Sequence, residues 1–330
     1  MISTSSDSVH GINQDFIPLF RSGHVQTIAA RFWPARINLK KYPVESRIFE
    51  TEPGVKVLTH CHFHSGLEGG DTVLIVHGLE GDSHSPYVLR MGEAALEAGF
   101  NVVRLNVRNC GGTEHLSSTL YHSGLTNDLE SVANQLTARA LYIVGFSMGG
   151  NMSLKLAGEW GGQLPAHVKA VCAISPPIGL EACALKIAEK GNRVYEKRFL
   201  AQLKETLTRK KKRMTVSYSL SHFSSIRNLI DFDNAYTAPA FGYKDAFDYY
   251  AHASANGFLA KIRVPTLVIQ AQDDPFIPST LFDHPSFEKN DCLKLLLTAF
   301  GGHVAFIARH RPRFWAQVRT VQFFNWIRSQ

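Results

Sequence analysis

The chain has 330 residues, 45% of them hydrophobic and 19% charged, a globular composition that excludes disordered and fibrous classes. Its net charge of +7 is local: residues 181–213 hold eleven Lys/Arg against four Glu, which accounts for the whole excess. No nucleic-acid motif accompanies that segment, so it reads first as a solvated helix face, with weak peripheral contact to anionic membrane surfaces or attraction to acidic substrates as the alternative, and no nucleic-acid partner is expected.

The opening MISTSSDSVH is polar and lacks the apolar stretch of a secretory signal. The longest apolar runs, 141–144 and 293–297, fall far short of the ~20 residues of a membrane span. A cytoplasmic protein is expected. The five cysteines (Cys61, Cys110, Cys172, Cys183, Cys292) are odd in number and irregularly spaced, which fits reduced thiols better than a disulfide framework. The segment 1–45 is mixed and aromatic and is expected to pack on the core. Residues 46–51 and 55–64 alternate apolar and polar, which predicts two half-exposed strands joined by a turn at Pro53-Gly54.

Residues 72–76 (TVLIV) then form a short continuous apolar run, as in a strand buried on both faces. A helix follows from Ser85-Pro86 to about Gly99, a strand over 101–107 (NVVRLNV), and a helix over 128–136. After a strand at 141–144 (LYIV) come a helix over 151–160 and a strand at 168–174 (VKAVCAI). The alternation breaks at Pro176 and resumes with strands at 266–270 (TLVIQ) and 293–297 (LKLLL) and a last helix over 312–327. This pattern predicts one α/β domain spanning 1–330, with a mostly parallel central sheet flanked by helices. The stretch 177–259 reads as a helical lid inserted over the carboxyl edge of the sheet, where such folds bind ligands.

The chemistry concentrates at Gly145-Phe146-Ser147-Met148-Gly149, a G-x-S-x-G motif with an apolar strand running in and a helix running out. A serine on so sharp a turn takes a strained backbone, and only glycine fits beside it where strand and helix approach. That turn would lift the Ser147 hydroxyl to a helix N-terminus, where developing negative charge is favoured. A serine hydroxyl needs a base. Of fifteen histidines, His303 follows the last apolar strand after Gly301-Gly302, the right place for a base to return over the serine. The acid that orients it is expected after the preceding strand, where Asp273 and Asp274 both stand; Asp274, with Pro278 four residues on, is preferred. The oxyanion hole is expected from the backbone N–H of Met148 and of Leu79, the latter in His77-Gly78-Leu79-Glu80-Gly81.

Three other features invite weaker readings. His77 is read as a loop-shaping residue. His60, His62 and His64 fall on one face of a strand and could bind zinc, but no matching ligand cluster occurs elsewhere. Cys110 is read as part of a tight turn, not as a second nucleophile. Neither metal nor organic cofactor is expected.

These residues carry a resemblance. His24-Val25-Gln26-Thr27, the 77–81 loop, Arg108-Asn109-Cys110-Gly111-Gly112, Tyr121-His122-Ser123-Gly124, the 145–151 turn, Phe232-Asp233, 242–250, Asp273-Asp274-Pro275-Phe276 and Gly301-Gly302-His303-Val304 together resemble the YheT-like branch of the α/β-hydrolases. That branch is related to the animal abhydrolase-domain phospholipases and esterases. The resemblance covers nearly the whole chain and implies an α/β-hydrolase fold and hydrolysis of carboxylic esters, with short or medium acyl chains or lipid-like. It also implies Ser147, Asp274 and His303 as the triad, and its spacing favours Asp274 over Asp273. Two departures stand out. Asn109 occupies a position where the branch often has glycine. Ala308 takes the place of the acid in an H-x-x-x-x-D element linked to acyl transfer, so transferase activity is less supported. The alternatives are a thioesterase or acyltransferase on the same triad, or a non-catalytic binding protein that kept the fold.

Overall fold

The structure is a computed structural model and describes residues 16–330; residues 1–15 of the segment expected to pack on the core lie outside the described residues. Among the described residues eight strands form one sheet: β1 (Glu45–Glu52), β2 (Val55–His62), β3 (Thr72–Val76), β4 (Asn101–Leu105), β5 (Leu141–Phe146), β6 (Val168–Ile174), β7 (Thr266–Ala271) and β8 (Leu293–Thr298). Their spatial order is β1-β2-β4-β3-β5-β6-β7-β8. The pairs β1·β2 and β2·β4 are antiparallel and the rest are parallel.

The central strands are buried along their whole length, as continuous apolar runs demand. Alternate residues of β3 serve opposite layers. Leu74 and Val76 pack with Leu129 and Val132 of helix α3 (Asn127–Gln135) and Met152 and Leu156 of α4 (Met148–Trp160). Val73 and Ile75 pack with Met91 of α2 (Pro86–Glu97) and Phe323 and Phe324 of α8 (Trp315–Arg328). Only β1, at the edge, is largely exposed.

Several element boundaries differ from the sequence expectation by a few residues, and two of them have clear local reasons. The strand expected over 101–107 ends at Leu105. Beyond it, Asn106 Oδ1 accepts the Ser83 N–H at 2.9 Å and the Val107 N–H goes to His77 Nε2 at 3.0 Å, so side chains take over from the strand ladder. The strand expected to stop at 144 runs on to Phe146, because Gly145 and Phe146 pair with Ala173 and Ile174 of β6.

Between β6 and β7 the chain forms helices α5 (Leu180–Ile187), α6 (Arg193–Arg213) and α7 (Ala246–Ala253), with short helical turns between them. They bury apolar clusters of their own, among them Leu200, Leu203, Leu229 and Phe232. The basic run that ends α6 corrects the expected solvated face. Lys210 is 0% exposed, and its ammonium donates to Asn109 Oδ1 at 2.7 Å, to the Glu114 carbonyl at 3.1 Å and to the Ser117 carbonyl. Arg209 and Arg213 both bind the buried Glu114 carboxylate, at 2.6 and 2.8 Å. The charge is spent on docking α6 to the core; only Lys211 and Lys212 of the run lack such a partner and face outward. Among the described residues, no helix is long and apolar enough to cross a membrane.

Candidate active site

Ser147 sits between β5 and α4 with φ 51° and ψ −122°, a backbone region L-residues avoid. The turn is held because strand and helix nearly touch. A Cβ on Gly145 would stand 2.1 Å from the Gly149 carbonyl oxygen, and one on Gly149 would stand 2.5 Å from the Val76 carbonyl oxygen. The Ser147 N–H donates to the Ile174 carbonyl at 2.9 Å, which ties the turn to the neighbouring strand.

The three side chains singled out from the sequence meet here. His303 Nε2 lies 2.8 Å from Ser147 Oγ, and His303 Nδ1 lies 2.9 Å from Asp274 Oδ2. Both Asp274 and His303 are buried. The other carboxylate oxygen, Asp274 Oδ1, accepts the N–H groups of Phe276 at 2.8 Å and Ile277 at 3.2 Å. Those bonds aim the carboxylate and satisfy the charge that burial would otherwise penalise. Asp273 points elsewhere: its Oδ1 accepts the Gly302 N–H at 2.8 Å, and burial holds its carboxyl above the usual range. It braces the histidine loop and does not touch the imidazole.

Sequence reasoning did not identify what supports that loop. The His303 N–H donates to Thr27 Oγ1 at 2.9 Å, from helix α1 (Gly23–Phe32). Gln26 of the same helix accepts the Ile307 N–H at 2.8 Å and donates to the Phe20 and Ile307 carbonyls. The Val304 N–H donates to Ser175 Oγ at 3.1 Å. The only sequence sign of this strap was the H-x-Q-T element at 24–27, and it carried no geometry. The Phe276 ring packs against the imidazole with 4.7 Å between centroids.

The loop after β3 lies against the turn, with the position of a Gly78 Cβ 3.0 Å from Ser147 Cβ. Among the described residues, the backbone N–H groups of Leu79 and Met148 donate to no protein acceptor. Two such donors beside a hydroxyl can bind an oxyanion. The loop is shaped by His77, wholly buried, whose Nδ1 meets the Gly78 carbonyl at 2.7 Å while Nε2 accepts from Val107. A second brace is Glu80, also missed from sequence, at φ 51°. Its carboxylate accepts the Tyr121 hydroxyl and the Thr206 hydroxyl of α6, each at 2.6 Å, and its N–H donates to Tyr121 Oη at 3.3 Å. Burial raises the Glu80 carboxyl above its ordinary range.

Two cavities meet at Ser147 and His303. One runs beneath the 177–259 helices and is largely apolar, lined by Leu180, Ile187, Leu203, Leu207 and Phe232, with Asp233 inside it. Asp233 accepts the Thr237 and Tyr250 hydroxyls at 2.6 Å, and burial pushes its carboxyl up to about 6. The other opens between α1 and α6.

The remaining candidates are not brought to the site. His60 Nδ1 meets Ser83 Oγ at 2.8 Å, while His62 meets the Tyr42 carbonyl at 3.0 Å and Arg104 at 3.0 Å. Among the described residues no group of three or more His, Cys, Asp or Glu could hold a metal ion. Cys110 is buried in the turn after β4, and burial pushes its thiol well up, away from the thiolate a nucleophile requires.

Residues 71–309 match a family model described as alpha/beta hydrolase fold. The chain is 32% identical over 332 residues to the Escherichia coli protein named Putative esterase YheT, covering 96% of this chain and 95% of that one. It is 30% identical over 249 residues to Phospholipase ABHD3 of Mus musculus, across 73% of this chain and 60% of that protein. Among solved structures, the Pyrococcus furiosus esterase Pf2001 superposes with a TM-score of 0.58 over 88% of this chain and 98% of that one, at 17% identity. That last likeness is one of fold.

Proposed function

Since the chain belongs to the α/β-hydrolase fold family, we propose that it hydrolyses carboxylic esters with Ser147 as nucleophile, His303 as general base and Asp274 as the acid that orients the histidine. The observation that carries this reading is the unbroken relay from Ser147 Oγ to His303 Nε2 at 2.8 Å and from His303 Nδ1 to Asp274 Oδ2 at 2.9 Å. The names of the relatives, an esterase and a phospholipase, support the same reaction class.

Asp274 Oδ2 accepts a hydrogen bond from His303 Nδ1–H, which fixes the tautomer that leaves Nε2 free to act as a base. Ser147 attacks the ester carbonyl while His303 takes its proton. The tetrahedral oxyanion is held by the Leu79 and Met148 N–H groups. His303 then returns the proton to the departing alcohol, leaving an acyl-serine. Water, deprotonated by the same imidazole, attacks the acyl-serine and releases the acid. No step calls on a metal or an organic cofactor.

The apolar cavity under the 177–259 helices suits the acyl chain, and that segment acts as the lid over it. The substrate is an ester with a short or medium acyl chain or a lipid-like one. Ser147→Ala is expected to lower kcat on a p-nitrophenyl ester by about 10³-fold or more. A fluorophosphonate probe is expected to label Ser147 in the parent protein. Parental turnover by Ser147→Ala sinks this assignment.

A further inference from the structure

Helix α1 is amphipathic in the wrong sense for a surface helix. Its inward side carries the polar Gln26, fully buried and bonded to Phe20 and Ile307, beside Gly23 and Ala30. Its outward side carries Val25, Ile28 and Phe32, exposed by 44, 49 and 78%. Spacings of three and four residues place these three on one stripe. A surface helix that needs its polar residue inside and shows an apolar stripe to solvent marks a contact surface.

The stripe continues onto α6. The His24 ring stacks on the Tyr195 ring, with centroids 5.7 Å apart and the planes 12° from parallel, which joins the two helices side by side. Val194, next to Tyr195, is 79% exposed. Between α1 and α6 lies the second cavity, whose lining includes Ile28 and Phe32 at its rim and Ser147 and His303 at its depth.

Among the described residues, the exposed charges lining this mouth are positive. Arg31 and Arg198 line it, both exposed and neither paired with a carboxylate. Among the described lining residues Glu80 is the one carboxylate, and it is committed to Tyr121 and Thr206. Lys197 and Arg193 are exposed on the same helix as Arg198. An apolar stripe flanked by unpaired cations complements the headgroup and acyl boundary of an anionic bilayer.

We propose that the Val25–Ile28–Phe32 stripe of α1, with Val194 and the Arg31–Arg198 pair, docks the protein on an anionic lipid surface and sets the mouth of the α1–α6 cavity against it. The contact lies on the opening helix and the start of α6, not on the basic run that ends α6, because that run is occupied by Glu114, Asn109 and Ser117. Docking depends on no catalytic step. That the bilayer supplies the ester rests on the hydrolase reading above.

The test is sedimentation with vesicles in a Ser147→Ala background, so that binding is read without turnover. The parent is expected to pellet with vesicles of equal parts phosphatidylglycerol and phosphatidylcholine, and much less with phosphatidylcholine alone. Binding should weaken as salt rises. Val25→Asp with Phe32→Asp should lower the apparent affinity at least ~10-fold at an unchanged melting temperature. Arg31→Gln with Arg198→Gln, which touches only exposed side chains, should lower it too and stands in if the first pair fails to fold. The proposal is overturned by absence of pelleting, by equal binding to phosphatidylcholine alone, or by full binding of the variants. It is also overturned if light scattering shows a dimer that Val25→Asp with Phe32→Asp dissociates, for the stripe then belongs to a second copy. Vesicle binding by a protein that, with Ser147 intact, hydrolyses no ester would count against the catalytic assignment alone.

Discussion

Replacing Glu80 with alanine is expected to slow turnover about 10- to 100-fold while leaving KM within a fewfold of the parent. The side chain touches no reacting atom; it holds the peptide that carries the Leu79 N–H. Its removal takes the acceptor from the Tyr121 and Thr206 hydroxyl protons, each hydroxyl now 2.6 Å from the carboxylate, and a buried donor left without an acceptor costs about 1–3 kcal/mol. It also frees a residue held at φ 51°, a strain of about 1–2 kcal/mol that relaxation would release. Complete loss of one oxyanion donor costs about 10²–10³ in kcat. The loop keeps two other braces, the Gly78 N–H on Tyr87 Oη at 2.9 Å and the Gly81 N–H on the Gly78 carbonyl at 3.0 Å. The effect should therefore sit below that ceiling, at about 1.4–2.7 kcal/mol. Glu80→Gln can accept from one hydroxyl and donate to the other, and should restore kcat to within about threefold. Glu80→Gly keeps the backbone angle and removes the brace; it should behave like alanine. Steady-state kinetics on a soluble p-nitrophenyl ester, with melting temperatures alongside, decide the matter. A Glu80→Ala kcat within twofold of the parent, or a Glu80→Gln as slow as alanine, refutes the reasoning.

Asp274→Asn should keep the fold and lower kcat by about 10³–10⁴, the loss expected when the histidine loses its orienting charge; equal kcat in the two proteins would remove Asp274 from the mechanism. Asp233 tests linkage. Burial lifts its carboxyl from the ordinary 3.8 to about 6, so between about pH 4 and pH 6 the folded protein holds a proton that the unfolded chain has released. Its contribution to stability therefore falls as pH rises through that window, by about 3 kcal/mol. Asp233→Asn lacks this slope and should gain stability relative to the parent from pH 4 to pH 7; parallel melting curves across that range would contradict the assignment. Gly145→Ala places a Cβ 2.1 Å from the Gly149 carbonyl oxygen, so it should express poorly or melt far lower and lose probe labelling at Ser147.

What could be read from the sequence was local or ordered along the chain. The 145–149 turn announces itself because strand, serine and helix are contiguous, and the order of Ser147, Asp274 and His303 follows the order of the strands that carry them. The choice between adjacent carboxylates was different in kind. It turns on which one meets the Phe276 and Ile277 amides and which one meets Gly302, a matter of one peptide's orientation. The docking of Lys210 on Asn109 and of Arg209 on Glu114 joins residues about a hundred positions apart, and a charge run looks the same whether solvated or buried. Helix α1 lies in a segment read only as mixed and aromatic, and in the fold its apolar stripe faces out while the glutamine faces in. Its tie to the histidine loop is long-range and could not be seen before folding.

That tie has a consequence for where this protein can be cut. The recognisable family match starts at residue 71, and trimming to it would look harmless on an alignment, since every residue of the Ser147–His303–Asp274 relay survives. The cut would nonetheless take away Thr27, which receives the His303 amide, and Gln26, which grips Ile307. On the proposed reading, the working enzyme is expected to need more chain than the recognisable domain, since a shortened version would keep Ser147, His303 and Asp274 but lose the backbone bonds that hold the imidazole.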